Sequence, residues 1–265
     1  MSLLSLTAWD LALAAGLVVV LAALSWQGQL GVGRSLLIAG ARTVVQLLLI
    51  GLVLEALFAF SALHWVALLA LAMLLIAGRE VMARQQRRFL GLWGYGLGTL
   101  AMSVSSFSIT VLALLLLVQP EPWYRPQYAV PLLGMMLGNT MTGVAVALDR
   151  LTESAWRERS GIEGRLLLGQ RWDQAVAGLR REAMRAGMIP MINAMAAAGV
   201  VSLPGMMTGQ ILAGAPPVEA VKYQILIMFL ITAGTGFGTL VAVRLGARRL
   251  FDGRERLRLD RLRKP

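Results

Sequence analysis

Residues 96–118 read GLGTLAMSVSSFSITVLALLLLV, 23 consecutive positions without a charged side chain. A helix needs about 20 apolar residues to cross a bilayer core, so this stretch can cross one. Its polarity comes from hydroxyls alone, with Ser103, Ser105, Ser106, Ser108 and Thr110 on more than one side of a helix. Six further apolar stretches flank it, at 8–25, 35–60, 63–78, 129–148, 188–203 and 223–245, of which 63–78 and 188–203 are short. The composition agrees: 57% of the 265 residues are apolar and 15% charged, against about 45–50% and ~25% in soluble domains. The mean hydropathy is +0.69. These figures exclude an ordinary soluble domain and a disordered chain, and predict an all-α polytopic transmembrane bundle of about seven spans. One transmembrane domain over 1–265 is expected. No Lys or Arg precedes the first stretch, so it lacks the basic start of a signal peptide and reads as a retained helix.

The basic residues test this reading. They fall at Arg34 and Arg42, at Arg79, Arg84, Arg87 and Arg88, at eight positions from Arg150 to Arg185, and at nine from Arg244 to Lys264. The intervening links carry none, only Arg125, or only Lys222. Basic residues concentrate in cytoplasmic loops. The alternation therefore predicts an outside N-terminus and a cytoplasmic C-terminus. The net charge of +11 is thus explained by topology, and no nucleic-acid partner is expected. The outward link at 119–128, QPEPWYRPQY, carries prolines that forbid a helix and aromatic residues suited to a membrane interface.

Several chemistries are excluded within one chain. There is no cysteine and His64 is the single histidine. That removes disulfides, thiolate zinc sites, iron–sulfur clusters, thiol nucleophiles and His-dependent triads. No G-x-x-x-x-G-K-[ST], G-x-S-x-G or H-E-x-x-H occurs, so ATP would have to be used by a separate subunit.

The long aqueous link, 149–187, is expected as a cytoplasmic amphipathic segment. Gly161, Gly164 and Gly169 are expected to break it into short pieces. Leu166, Leu167, Leu168, Trp172, Val176, Leu179 and Ala183 recur at helical spacing. Such a helix can lie on lipid, cap the bundle or dock into a partner's groove. Glu163 and Gly169 stand six apart, as do the Glu and Gly in the cytoplasmic loop of ABC importer permeases. Gly164 and Arg165 replace that loop's alanines, and its downstream Ile-x-Leu-Pro is absent. Residues 246–265 read as a basic cytoplasmic tail.

Inside the spans, GMMLG at 134–138 and GMMTG at 205–209 form a pair, close to Pro131 and Pro204. Gly94/Gly98 and Gly234/Gly238 repeat the spacing. Small residues four apart let helices approach closely, while paired Gly/Pro-interrupted segments can line a transport path. Nine of the fourteen methionines fall between Met135 and Met207, and Met184, Met188, Met191 and Met195 share a helical face. They read as adaptable packing, or as soft ligands for Cu(I). Glu55, Asn139, Thr140 and Thr142 are the candidate hard ligands. Arg42 stands in a span with Gln46 one turn on, as a structural or gating pair.

Four stretches then point to a family: Arg42-x3-Gln46-Leu47-x3-Gly51, Pro131-x2-Gly134-Met135-x2-Gly138-Asn139-x-Met141, VSLPGMMTG at 201–209, and PVEAVKYQI at 217–225. They resemble the FetB-like iron-export ABC-transporter permeases, whose plant relatives are aluminium-tolerance permeases. The resemblance implies a permease homodimer in lipid, in a bacterial inner membrane. Two copies of a separate ATPase would carry ATP and Mg, with no cofactor on this chain. The cargo would be a metal ion, with iron the first choice, moved outward; no resident metal site is assigned. Glu55, Met135, Met136, Asn139, Thr140, Met206 and Met207 are the candidate path. Glu163, Leu166, Leu168, Gly169, Trp172 and Leu179 are the candidate ATPase-coupling residues, and Arg42, Gln46, Pro204, Gly205 and Gly209 the structural or gating ones. The alternatives are an ATP-independent carrier or channel, whose carboxylate relay would have only Glu55 in a span, and a non-transporting scaffold.

Overall fold

A computed structural model describes residues 7–60 and 62–263. Lys264, the last of the basic tail, lies outside the described residues. The elements are α1 (Ala8–Gln27), α2 (Gly33–Phe60), α3 (Leu63–Ala83), α4 (Leu92–Met102), α5 (Ser108–Leu112), α6 (Pro126–Arg157), α7 (Arg159–Leu167), α8 (Trp172–Ala175), α9 (Ala177–Ala197), α10 (Gly205–Leu212) and α11 (Pro217–Arg249). π-helical turns at Ser103–Phe107 and Ala113–Val118 join α4 and α5 into one rod, Leu92–Val118. Among the described residues there are isolated β-bridges but no strand. A polytopic helical bundle is what the hydropathy required.

Local chemistry sets the ends. Thr7 accepts the Asp10 N–H and the Asp10 carboxylate accepts the Thr7 N–H, a reciprocal box that starts α1. Pro126 and Pro217 open α6 and α11, where a missing N–H leaves nothing unpaired. Among the described residues, six helices are long and apolar enough to cross a membrane: α1, α2, α3, the Leu92–Val118 rod, α6 and α11.

The stretch 188–203 has other bounds than its reading gave it. The helix there, α9, begins at Ala177 and carries Arg180, Arg181, Glu182 and Arg185 in its first half. It ends at Ala197, and Gly199 turns the chain at φ +82°, a conformation glycine adopts without strain. The stretch 63–78 is not short: α3 runs on to Ala83 over 21 residues.

The chain falls into two compact units. One holds α1, α2 and Leu212–Gly214. Its helices meet at Gly33, where a methyl would stand 2.8 Å from the Ala22 carbonyl and 3.1 Å from Trp26 Nε1. The second unit holds the rest, with α6 and α11 packed along each other at its centre. Its apolar contacts form two clusters. Leu74, Val81, Met102, Leu133, Leu137, Val144 and Leu148 join α3, α4 and α6. Leu151, Ile162, Val176, Leu179, Leu250, Phe251 and Leu262 form a second cluster at the arginine-rich end of the unit.

Candidate functional site

Where α6, α9 and α11 cross, the side chains are small and the groups between them are hydroxyls. A methyl on Gly143 would lie 2.5 Å from Thr235 Cγ2, 3.0 Å from the Gly187 carbonyl and 3.3 Å from Thr239 Oγ1. A methyl on Gly238 would lie 2.6 Å from Thr140 Cγ2 and 2.8 Å from Ser105 Oγ. One on Gly234 would overlap Met136 Cε. Helices approach this closely only where a side chain is missing on one side.

A buried helical hydroxyl ordinarily donates to the carbonyl four residues back. Ser105 does so to Ala101 at 2.8 Å, and Thr152 to Leu148 at 3.0 Å. Ser106, Thr110, Thr140, Thr235 and Thr239 do not: their hydroxyls are buried and have no hydrogen-bond partner in the protein. Leaving a buried polar group unpaired costs on the order of 1–3 kcal/mol. Ser106 rides on the π-helical turn at Ser103–Phe107, a backbone form frequent at functional sites. The hydroxyls of Thr140, Thr235 and Thr239 thus line a closed seam, with Ser105 of the Ser103–Phe107 turn against Gly238. Each hydroxyl can donate one hydrogen bond and accept two.

The candidate path residues separate. Thr140 and Met136 lie in the seam, fully buried. Met135 is half-buried, and neighbouring Asn139 is exposed, its Nδ2 donating to the Met135 carbonyl at 2.8 Å. Thr142 donates to Gly138 at 3.1 Å. Met207 is buried on α10 and Met206 half-buried, while Pro204 accepts from Thr208 Oγ1 at 3.2 Å. Glu55, Arg42 and Gln46 are exposed on α2, in the other unit. The glycine pentads divide too. Gly94, Gly98, Gly234 and Gly238 sit in tight contacts, whereas Gly138, Gly205 and Gly209 face open space. The methionine stripe packs against neighbouring helices: Met191 is buried, Met188 abuts Gly236, and Met195 Sδ accepts from Thr232. Among the described residues, no three His, Cys, Asp or Glu side chains come together as a metal ion would need.

The arginine-rich end is a folded module. α6 continues unbroken to Arg157, and Gly161 and Gly164 lie inside α7 rather than breaking it. Only Gly169, at φ +83°, stops the helix. Residues 166–179 are therefore the end of α7, a turn, α8 and the start of α9, not one helix. At the turn Leu167 and Leu168 are 88% and 84% exposed. Leu166 and Trp172 pack against the apolar cluster, and Leu179 lies within it. Glu163 pairs with Arg159 at 2.9 Å.

Ionic contacts fasten the module. Glu153 accepts from Arg87 and from Arg157, each at 2.7 Å. The Arg87 guanidinium also stacks 4.4 Å over Trp156. Arg150 pairs with Glu182 across α6 and α9. The expected basic tail is not a free end. Residues 250–262 fold back as a strap, with Phe251, Leu259 and Leu262 in the apolar cluster. Glu255, at φ +58°, accepts the Trp172 N–H at 3.0 Å. Asp252 accepts the backbone N–H groups of Arg256 and Arg254 at 2.9 Å each, and Arg256 Nε at 2.8 Å. These donors, the Arg256 backbone first, hold the Asp252 carboxyl down at about 2.

Two signals for these features were present in the sequence. Thr235 and Thr239 sit in the Thr/Gly run TAGTGFGT at 232–239, and Leu257, Leu259 and Leu262 alternate with arginines where a solvated tail would carry none.

Membrane-length helices, a closed hydroxyl seam and an ion-fastened polar module define a multi-pass membrane protein. The chain belongs to the Uncharacterised protein family UPF0014, whose profile matches residues 8–251. It is 39% identical over 242 residues to the UPF0014 membrane protein slr1647 of Synechocystis, covering 89% of this chain and 90% of that one. It is 32% identical over 260 residues to the probable iron export permease protein FetB of Escherichia coli, covering 98% of each. It is also 32% identical over 235 residues to the protein ALUMINUM SENSITIVE 3 of Arabidopsis thaliana, covering 88% of this chain and 84% of that one. The family read from the four stretches is borne out. No solved structure matches the chain.

Proposed function

We propose that this chain is the membrane permease of an ATP-driven exporter that moves metal ions, with iron the first candidate, out of the cytoplasm. The observation that carries the reading is the end-to-end likeness to a protein named a probable iron export permease. A separate ATPase supplies the energy, because the sequence has no phosphate-binding loop of its own. In this reading the arginine-rich module is cytoplasmic, and the exposed pair Leu167 and Leu168 docks into the ATPase. The module shares α6, α9 and α11 with the hydroxyl seam, so a push on the turn reaches the seam through continuous helices. The seam opens, and its hydroxyls replace part of the water around a weakly held ion. A weak oxygen site suits a protein that must release its cargo. The functional permease is a homodimer.

The test is co-purification in mild detergent with a phosphate-loop ATPase, compared with Leu167→Asp/Leu168→Asp. These side chains are exposed, so the variant folds, inserts and loses the ATPase. Trp172→Asp is a poorer probe, because Trp172 packs against Phe251 at 5.9 Å between ring centres. Retention of the ATPase by the Leu167/Leu168 variant would overturn the docking assignment.

A further inference from the structure

A groove of about 530 Å³ opens between the first half of α9 and the end of α11. Its lining is of two kinds. Ala177, Met184, Leu240 and Val243 are apolar, and Arg180, Arg181 and Arg244 are cationic. Arg181 Nε donates to the Ala177 carbonyl at 3.4 Å. Among the described residues none of the three guanidinium groups is in an ion pair, and the nearby Glu182 is engaged by Arg150. Three cations without an ion-pair partner thus stand over an apolar floor.

The level of the groove identifies its occupant. Leu240 and Val243 close the apolar stretch of α11, a helix long enough to cross a membrane, and Arg244, Arg248 and Arg249 follow. In α9 the order is mirrored: Arg180, Arg181 and Arg185 precede the apolar half that starts at Gly187. Both helices change from apolar to charged at this groove, as helices do where the hydrocarbon core gives way to headgroups. Guanidinium groups bind phosphate with two parallel donors, and basic pockets between membrane helices take anionic headgroups. A second copy placed groove against groove would bring three more arginines against these three.

We propose that the groove is a binding site for an anionic phospholipid. The phosphate sits among Arg180, Arg181 and Arg244, and one acyl chain lies along Met184, Leu240 and Val243. Bound there, the lipid ties α9 to α11.

Native mass spectrometry of the full-length protein in detergent, titrated with phosphatidylglycerol or phosphatidylcholine, tests this. Phosphatidylglycerol should be retained selectively. Arg180→Gln/Arg244→Gln should weaken its retention on the order of tenfold, while the charge-matched Arg254→Gln/Arg263→Gln should not. Circular dichroism confirms that both variants fold. Equal retention of the two lipids, or retention unchanged in Arg180→Gln/Arg244→Gln, would overturn the site. So would stabilisation by inorganic phosphate alone, which assigns a free anion. Disulfide formation between Leu240→Cys copies, equal with and without phosphatidylglycerol, would assign the groove to a second copy instead.

Discussion

Thr239 has a fully buried hydroxyl with nothing in the protein to bond. A threonine kept there for packing would serve as well as valine, which has nearly its shape and no unpaired group. Thr239→Val is therefore expected to leave thermal stability in detergent unchanged or slightly raised. If the seam carries the ion, the same substitution lowers export several-fold. Export at the wild-type rate would remove the hydroxyls from the path. Gly143→Ala should act oppositely on stability, because its methyl would meet Thr235 and the Gly187 backbone. Overpacking of this kind costs about 1–3 kcal/mol, seen as a lower melting temperature. At Asp252 the carboxyl is held at about 2, below its unfolded value of roughly 4. Its contribution to the strap is complete above that unfolded value and is lost as pH falls toward 2. The gap in melting temperature between the wild type and Asp252→Asn should thus be full at pH 6 and close by pH 2. A gap independent of pH would mean that Asp252 acts through shape rather than charge.

The elements show what a sequence carries and what it hides. The spans were legible because the bilayer fixes their length and allows no charge at their centre, as at 96–118. The breaks in the polar segment were less so. Gly161 and Gly164 look like helix breakers, yet a mid-helix glycine costs only about 1 kcal/mol, and between them Ile162 is fully buried. That anchor keeps α7 intact. Gly169 differs because the chain reverses there. The bounds of the stretch 188–203 were less legible, because its helix starts at Ala177, among charged residues, and ends at Ala197. The seam was half legible. Thr140 stood out beside Asn139 and Thr142, whereas Thr235 and Thr239 drew no notice within a long apolar span. Only the crossing of α11 over α6 places them in the seam. The strap was hidden by its arginines, although its leucines held the clue. Phe251 anchors it at 3% exposure, and Phe251→Ala should destabilise the module by about 3–5 kcal/mol. Limited proteolysis checks this: cleavage should rise within 250–263 first, with the membrane helices still protected.

At the scale of the whole molecule, the arginine-rich module and the seam share three helices, which is the arrangement a coupled permease needs. The module is rigid where it meets those helices, through Arg87–Glu153 and Arg150–Glu182, and apolar where it meets water, at Leu167 and Leu168. The deciding measurement is iron flux in vesicles holding the permease with its co-purified ATPase, read with and without ATP. The proposed exporter moves iron only with ATP, and Leu167→Asp/Leu168→Asp abolishes the flux while the protein remains inserted. Iron flux of equal rate without ATP, or undiminished in that variant, would contradict an ATP-driven permease.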